Sequence, residues 1–150
     1  LCENLDNERK PITEHLRNKG DIPYYGASGI VDYVAEYIFD ETLLLISEDG
    51  ANLVSRNMPI AFSITGKSWV NNHVHILRFK NYKLQKYVES YINNIDLSEY
   101  INKNANPKLT QEKLNSIMIY MPNDTTLDLY ISSINQCDKF GFESAYILMM

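Results

Sequence analysis

The sequence predicts an α/β domain of the α+β kind, a twisted mixed β-sheet with one helical segment and a C-terminal helix. Three observations point there. Between residues 20 and 77, three loops rich in Gly, Ser and Asn alternate with β-branched and aromatic runs, the pattern of strands joined by tight polar turns. At residue 82 the apolar period changes from two to that of an amphipathic helix. A chain of 150 residues with 45% hydrophobic content suits one domain with a real core, since a domain of this size removes about 70% of its unfolded surface from water. No apolar run approaches the ~20 residues that cross a bilayer, so no membrane partner is expected.

Taken in order, residues 1–7 carry little pattern, and Pro11 marks a turn. Residues 13–18 are expected to form a short helix, with Thr13 as N-cap and Gly20 just past its end. Tyr24 and Tyr25 lead into Gly26-Ala27-Ser28-Gly29, whose two glycines permit a close backbone approach. Leu43-Leu44-Leu45-Ile46 is a continuous apolar run, as in a strand buried on both faces. Residues 48–52 turn the chain. Residues 58–65 alternate cleanly, with Ile60, Phe62 and Ile64 on one side. Beyond Gly66-Lys67-Ser68 a second run is expected to set Val70, Val74 and Ile76 against the core and to display Asn71, His73 and His75 as a polar stripe.

Residues 82–94 read as an amphipathic helix through Leu84, Tyr87, Val88, Tyr91 and Ile92. A short helix over 97–101, a polar loop over 102–107, a turn capped by Thr110 and a strand over 117–120 are expected to follow. Asn123 or Asp124 then caps a last helix, whose stripe takes in Leu127, Tyr130, Ile131, Ile134 and Cys137. The apolar tail 146–150 is expected to pack on its own domain or on a partner. The body of the domain is thus assigned to 1–122, and the helix and tail to 123–150. Cys2 and Cys137 lack metal-ligand spacing and no secretory leader pattern is visible, so free thiols and a cytoplasmic setting are expected. A chain opening at Leu1 rather than Met is expected to be part of something longer.

The net charge of -5 hides a segregation along the chain. From Asp21 to Asp49 there are seven acids and no Lys or Arg; from Gly50 to Val88 there is no acid, while Arg56, Lys67, Arg78, Lys80, Lys83 and Lys86 supply six positive charges. Phosphate binding depends on the local patch rather than the total, so an acidic chain can carry a DNA-facing surface. Arg56, Lys67, Asn71, Asn72, His73, His75, Arg78 and Lys80 are the candidate DNA contacts, because Arg and Asn pair bidentately with guanine and adenine in the major groove. Tyr24, Tyr25 and Ser28 join them from the first loop, although such tyrosines are more often core or turn residues than stacking platforms.

Other chemistries fit less well. Residues 61–68 loosely match a phosphate loop, but a strand pattern follows where a helix is required. His73-Val74-His75 could chelate zinc only with a third ligand, and none lies nearby in sequence. Glu48-Asp49 as a magnesium pair would make the chain a small nuclease; bracing the turn at Gly50 is the favoured reading. Neither a methyl-donor glycine loop nor an Asn-Pro-Pro-aromatic motif is present, so no cofactor, resident metal or catalytic group is expected. An acidic decoy occupying an enzyme in place of DNA is a further rival.

Residues 20–29 (Gly-Asp-Ile-Pro-Tyr-Tyr-Gly-Ala-Ser-Gly), 48–52 (Glu-Asp-Gly-Ala-Asn) and 66–73 (Gly-Lys-Ser-Trp-Val-Asn-Asn-His) resemble, in that order, the target recognition domain of the specificity subunit of type I restriction-modification systems. Leu109-Thr110-Gln111-Glu112-Lys113-Leu114 and residues 117–122 resemble its end, so the likeness runs over residues 7–135. The resemblance implies a non-catalytic subunit of two recognition domains separated by long helices, each domain reading half of a split DNA target. It also implies partner methyltransferase subunits, which use S-adenosylmethionine on adenine, and an ATP-driven restriction subunit. This chain has one domain and a short final helix, the start of the spacer. It is therefore expected to be an excised half, a half-subunit that pairs with its copy through that helix, or the recognition domain of a fused enzyme. Self-pairing would read a palindromic split site.

Overall fold

A computed structural model describes residues 1–139 of the chain. The apolar tail lies outside them. The first of two sheets is antiparallel throughout, in the order β1 (Glu3–Asn4), β8 (Val74–Arg78), β5 (Leu43–Ser47), β6 (Ala61–Ile64). The run Leu43 to Ile46 is wholly buried, and its alternate side chains serve two cores. Leu43 and Leu45 pack with Leu5, Phe39, Val74 and Ile76. Leu44 and Ile46 pack on the opposite face with Leu53, Leu77, Val88 and Ile92. Each such side chain contributes about 1.5–3 kcal/mol by leaving water.

The second sheet is mixed, in the order β3 (Gly29–Val34), β2 (Lys19–Gly26), β7 (Lys67–Val70), β4 (Phe39–Asp40). Strands β2 and β7 run parallel, the other pairs antiparallel. A two-residue turn, Ala27-Ser28, joins β2 to β3, and Gly29 closes it at φ 104°, a left-handed conformation glycine accepts without strain.

The expected run from Ser68 to Ile76 is interrupted. Asn71 accepts the amide of His73 (2.8 Å) in a side-chain turn, which sends β7 and β8 into different sheets. Val70, Val74 and Ile76 do share one core, but no displayed stripe forms, because β8 is covered on both sides from Val74 to Leu77.

Four α-helices complete the described residues. A four-residue helix α1 (Asn52–Ser55) precedes β6. Helix α2 (Tyr82–Asn94) matches its predicted span and is capped by Asn81, whose side chain accepts the amides of Lys83 (2.9 Å) and Leu84 (3.4 Å). Thr110 caps α3 (Gln111–Ser116), and Asn123 caps α4 (Asp124–Lys139) by accepting the Thr126 amide (2.8 Å). Three expectations fail. Residues 97–101 make turns, not a helix, although Leu97 and Ile101 still enter the core. Residues 117–120 form no strand; their carbonyls are held by Tyr87, to Tyr120 (2.7 Å), and Tyr91, to Met118 (3.1 Å). The segment after Thr13 is only a 3-10 turn, Glu14–Leu16, without a side-chain cap. No helix among the described residues is long and apolar enough to cross a membrane.

Candidate nucleic-acid interface

The parallel pairing of β2 with β7 puts the turns that leave both strands at one end of the molecule. The end of β5 and the start of β8 lie there too. The Asn71 amide donates to the Tyr25 carbonyl (3.0 Å), the Ser47 hydroxyl to the Ala27 carbonyl (2.7 Å), and the Glu48 amide to the His73 carbonyl (2.9 Å). Residues 25–29, 47–50 and 70–73 thus meet in one cluster of loops, while Gly66 and Lys67 lie at the opposite end of β7, beside the start of β5. Ser28, Asn72 and His73 are exposed on it. His73 Nδ1 faces the Asp49 carboxylate at 2.8 Å, which orients the ring.

Beneath these loops lies a buried charge network. His75 is 0% exposed. Its Nε2 donates to the Leu109 carbonyl (2.7 Å), and its Nδ1 lies 2.7 Å from the Asp6 carboxylate. Asp6 also accepts the Ile76 amide (2.9 Å). Glu48 pairs with Arg9, which donates in turn to the Val74 carbonyl (3.0 Å), and with Lys108 Nζ (3.1 Å). Burial pushes both carboxyls up, but the His75, Ile76 and Arg9 contacts at Asp6, and the Arg9, Lys108 and His75 contacts at Glu48, outweigh it. Both therefore titrate below their ordinary values and stay ionised, clamping the loop after β5 to the N-terminal segment.

The sequence candidates separate on this frame. Ser28, Asn71, Asn72 and His73 come together, with the Asn71 side chain mostly buried in its turn. Tyr24 and His75 are interior, so a duplex on the surface would not meet them: the Tyr24 hydroxyl accepts the Ile12 amide (2.9 Å) and its ring lies 4.4 Å from the Arg17 guanidinium. Tyr25 is half-buried against Phe62. Arg56 sits at the C-terminal end of α2, donating to the carbonyls of Ile95 (2.7 Å) and Ile92 (3.4 Å). Lys67, at the far end of β7, lies 5.0 Å from the Tyr37 ring. Arg78 is forked between both Glu41 oxygens (2.6 Å each) and Glu3 (2.9 Å), with Lys80 exposed just beyond. Five residues of strand separate His73 from Arg78's end of β8, about 17 Å.

The acid-free stretch is therefore no continuous cationic face. Acids from elsewhere meet it, with Glu3 and Glu41 on Arg78, Asp49 on His73, and Asp128 on Lys83. Sequence reading missed Asp6, Arg9 and Lys108, which carry the clamp. Alternation places His75 outward with Asn71 and His73; its position inside the run Val74-His75-Ile76-Leu77 is the one available signal of burial, which demands a partner but cannot name it.

Lys67 begins a strand rather than a helix, so the phosphate-loop geometry is absent at that point. Glu48 is occupied by Arg9 and Lys108, and no group of three His, Cys, Asp or Glu among the described residues is placed to hold a metal ion.

Comparison with known proteins adds three findings. The model of the family described as the type I restriction modification DNA specificity domain matches residues 1–148. A curated Haemophilus influenzae protein named "Putative type I restriction enzyme specificity subunit S.HindORF215P" is 37% identical over 118 residues, covering 79% of this chain and 30% of that protein. The chain thus spans under a third of that relative's length. The crystal structure of a type I restriction-modification S subunit from M. genitalium superposes with a TM-score of 0.64 over 93% of this chain and 39% of that one, at 8% identity, a likeness of fold.

Proposed function

We propose a function on this premise: the chain belongs to the type I restriction-modification DNA specificity domain family, and it reads a double-stranded DNA target for partner enzymes. The observation that carries the reading is the convergence of residues 25–29, 47–50 and 70–73 at one end of two sheets, with Ser28, Asn72 and His73 exposed on the shared rim. Loops held by a rigid scaffold are where recognition concentrates. His73 offers its Nε2 to the duplex, because Asp49 holds the other ring nitrogen. Asn72 offers an amide that can pair with adenine.

In this reading residues 1–122 recognise DNA and residues 123–150 begin a helical arm. The chain performs no chemistry; an adenine methyltransferase and an ATP-driven restriction subunit act where it places them, in the cytoplasm. Paired through that arm, two copies would read a palindromic split target.

Co-expression with a type I modification subunit, followed by mapping of methylated adenines, tests this. A new bipartite motif supports it, a palindromic one supports two copies, and an unchanged methylation pattern refutes it. Binding of the purified chain to the site should weaken by roughly one log unit per log of salt for each phosphate neutralised, and a flat response counts against DNA contact. A decoy would instead block the methyltransferase from DNA.

A further inference from the structure

A fourth loop joins the rim that the three sequence blocks form. The backbones of Asn102 and Lys108 bond to each other in both directions (2.9 and 3.1 Å), closing a stem. The returning strand of that stem reaches the site: the Gly50 amide donates to the Pro107 carbonyl (3.1 Å), the Leu109 amide to the Glu48 carbonyl (2.8 Å), and Lys108 Nζ reaches Glu48 (3.1 Å). Residues 102–106, Asn-Lys-Asn-Ala-Asn, are all exposed at its tip. No acid lies between Glu99 and Glu112, and since Lys108 is paired with Glu48, Lys103 is the charged side chain at the tip of the loop.

We propose that this loop is a base-reading element of the domain, with Asn104 and Asn106 reading base edges in the major groove and Lys103 meeting the flanking phosphate or a guanine. The inference rests on the DNA-reading function above and names where part of its specificity lies. Three physical points support it. An Asn amide presents a donor and an acceptor at the spacing of adenine N6 and N7, and Lys suits guanine or phosphate. Asn102 Oδ1 accepts the Asn104 amide (3.3 Å), so Asn102 shapes the loop and leaves Asn104 and Asn106 as the readers. Five residues folded back on a closed stem project at most about 8 Å, comparable to the ~8.5 Å depth of the major groove. A pinned stem also lowers the ordering entropy that a free loop would lose on binding.

The test selects sites from a randomised duplex library with the purified chain, then repeats the selection with an Asn104→Ala, Asn106→Ala double variant. The wild type should enrich a defined sequence. The variant should keep its thermal unfolding midpoint and its binding to random duplex within about threefold, while preference for the selected site falls by at least about fivefold per lost contact. A variant that enriches the same sequence as strongly overturns the loop assignment and leaves the function standing. A wild type that enriches no sequence overturns both. Loss of binding to a type I modification subunit with the DNA site unchanged would put the loop at a protein interface, which also overturns it. Should the double variant fail to fold, Asn104→Ala and Asn106→Ala made singly carry the same comparison.

Discussion

In the first sheet every residue of β5 is buried and feeds a core on each face, whereas β3, at the edge of the second sheet, leaves Ile30, Val31 and Tyr33 exposed at 48, 51 and 50%. Both sheets end at the same rim of loops, yet they support it in different ways. The first anchors Glu48 and His73 through a buried interior and the Asp6, His75 and Glu48 network. The second supplies the Ala27-Ser28 turn from a hairpin whose outer side faces water. Rigidity of the rim therefore depends mainly on one sheet, while the other can vary its outer surface with little effect on the fold.

Substitutions that differ between the sheets test this, beginning with the clamp. Asp6→Ala leaves the His75 ring and the Ile76 amide buried without their acceptor, and should cost about 3–5 kcal/mol in urea unfolding. A change under 1 kcal/mol would mean that the network supports nothing. Leu45→Ala, in the middle of β5, opens a cavity in a fully buried site and should cost about 2–5 kcal/mol by the same measurement. In the second sheet the vulnerable point is backbone rather than core: a Cβ on Gly20 would lie 2.5 Å from Ala35 Cα and from the Val34 carbonyl, so Gly20→Ala should cost about 1–3 kcal/mol. If its unfolding midpoint matched the wild type, the β2–β3 register would have to be looser than it looks.

Acid should erode the first sheet's anchorage. Asp6 and Glu48 have folded values below their ordinary ones, so they bind fewer protons folded than unfolded around those values. Their stabilisation is complete above the ordinary carboxylate range and is lost as pH falls below about 4 toward the folded values. Unfolding midpoints at successive pH values should show this fall, and Asp6→Ala should shrink it. The smallest effect belongs to the open sheet: Ile30→Ala should stay within about 0.5 kcal/mol, and a cost above 2 kcal/mol would erase the contrast between the sheets.

Much of this architecture was legible from local pattern. Residues 82–94 declare a helix because Leu84, Val88 and Ile92 recur on one face, and Leu43 to Ile46 declare a two-sided strand because no polar residue interrupts them. The failures are also local in origin. Val70, Val74 and Ile76 keep strand spacing across the Asn71 turn, so alternation alone cannot reveal that the chain changes sheets there. Residues 117–120 have strand composition but find two tyrosine hydroxyls in place of a neighbouring strand. Charge segregation misled for the same reason, since Arg78 is neutralised by Glu3, 75 residues away.

The amino-acid order alone determined the main helix, the buried central strand, and the identity of three turn-rich blocks, because each depends on neighbours within a few residues. That one part of each block shares a rim, that His75 lies inside against Asp6 while His73 lies outside, and that residues 102–108 join them was decided only when distant segments packed. Such choices depend on which long-range partners satisfy buried donors, acceptors and charges, and spacing along a chain does not encode that pairing.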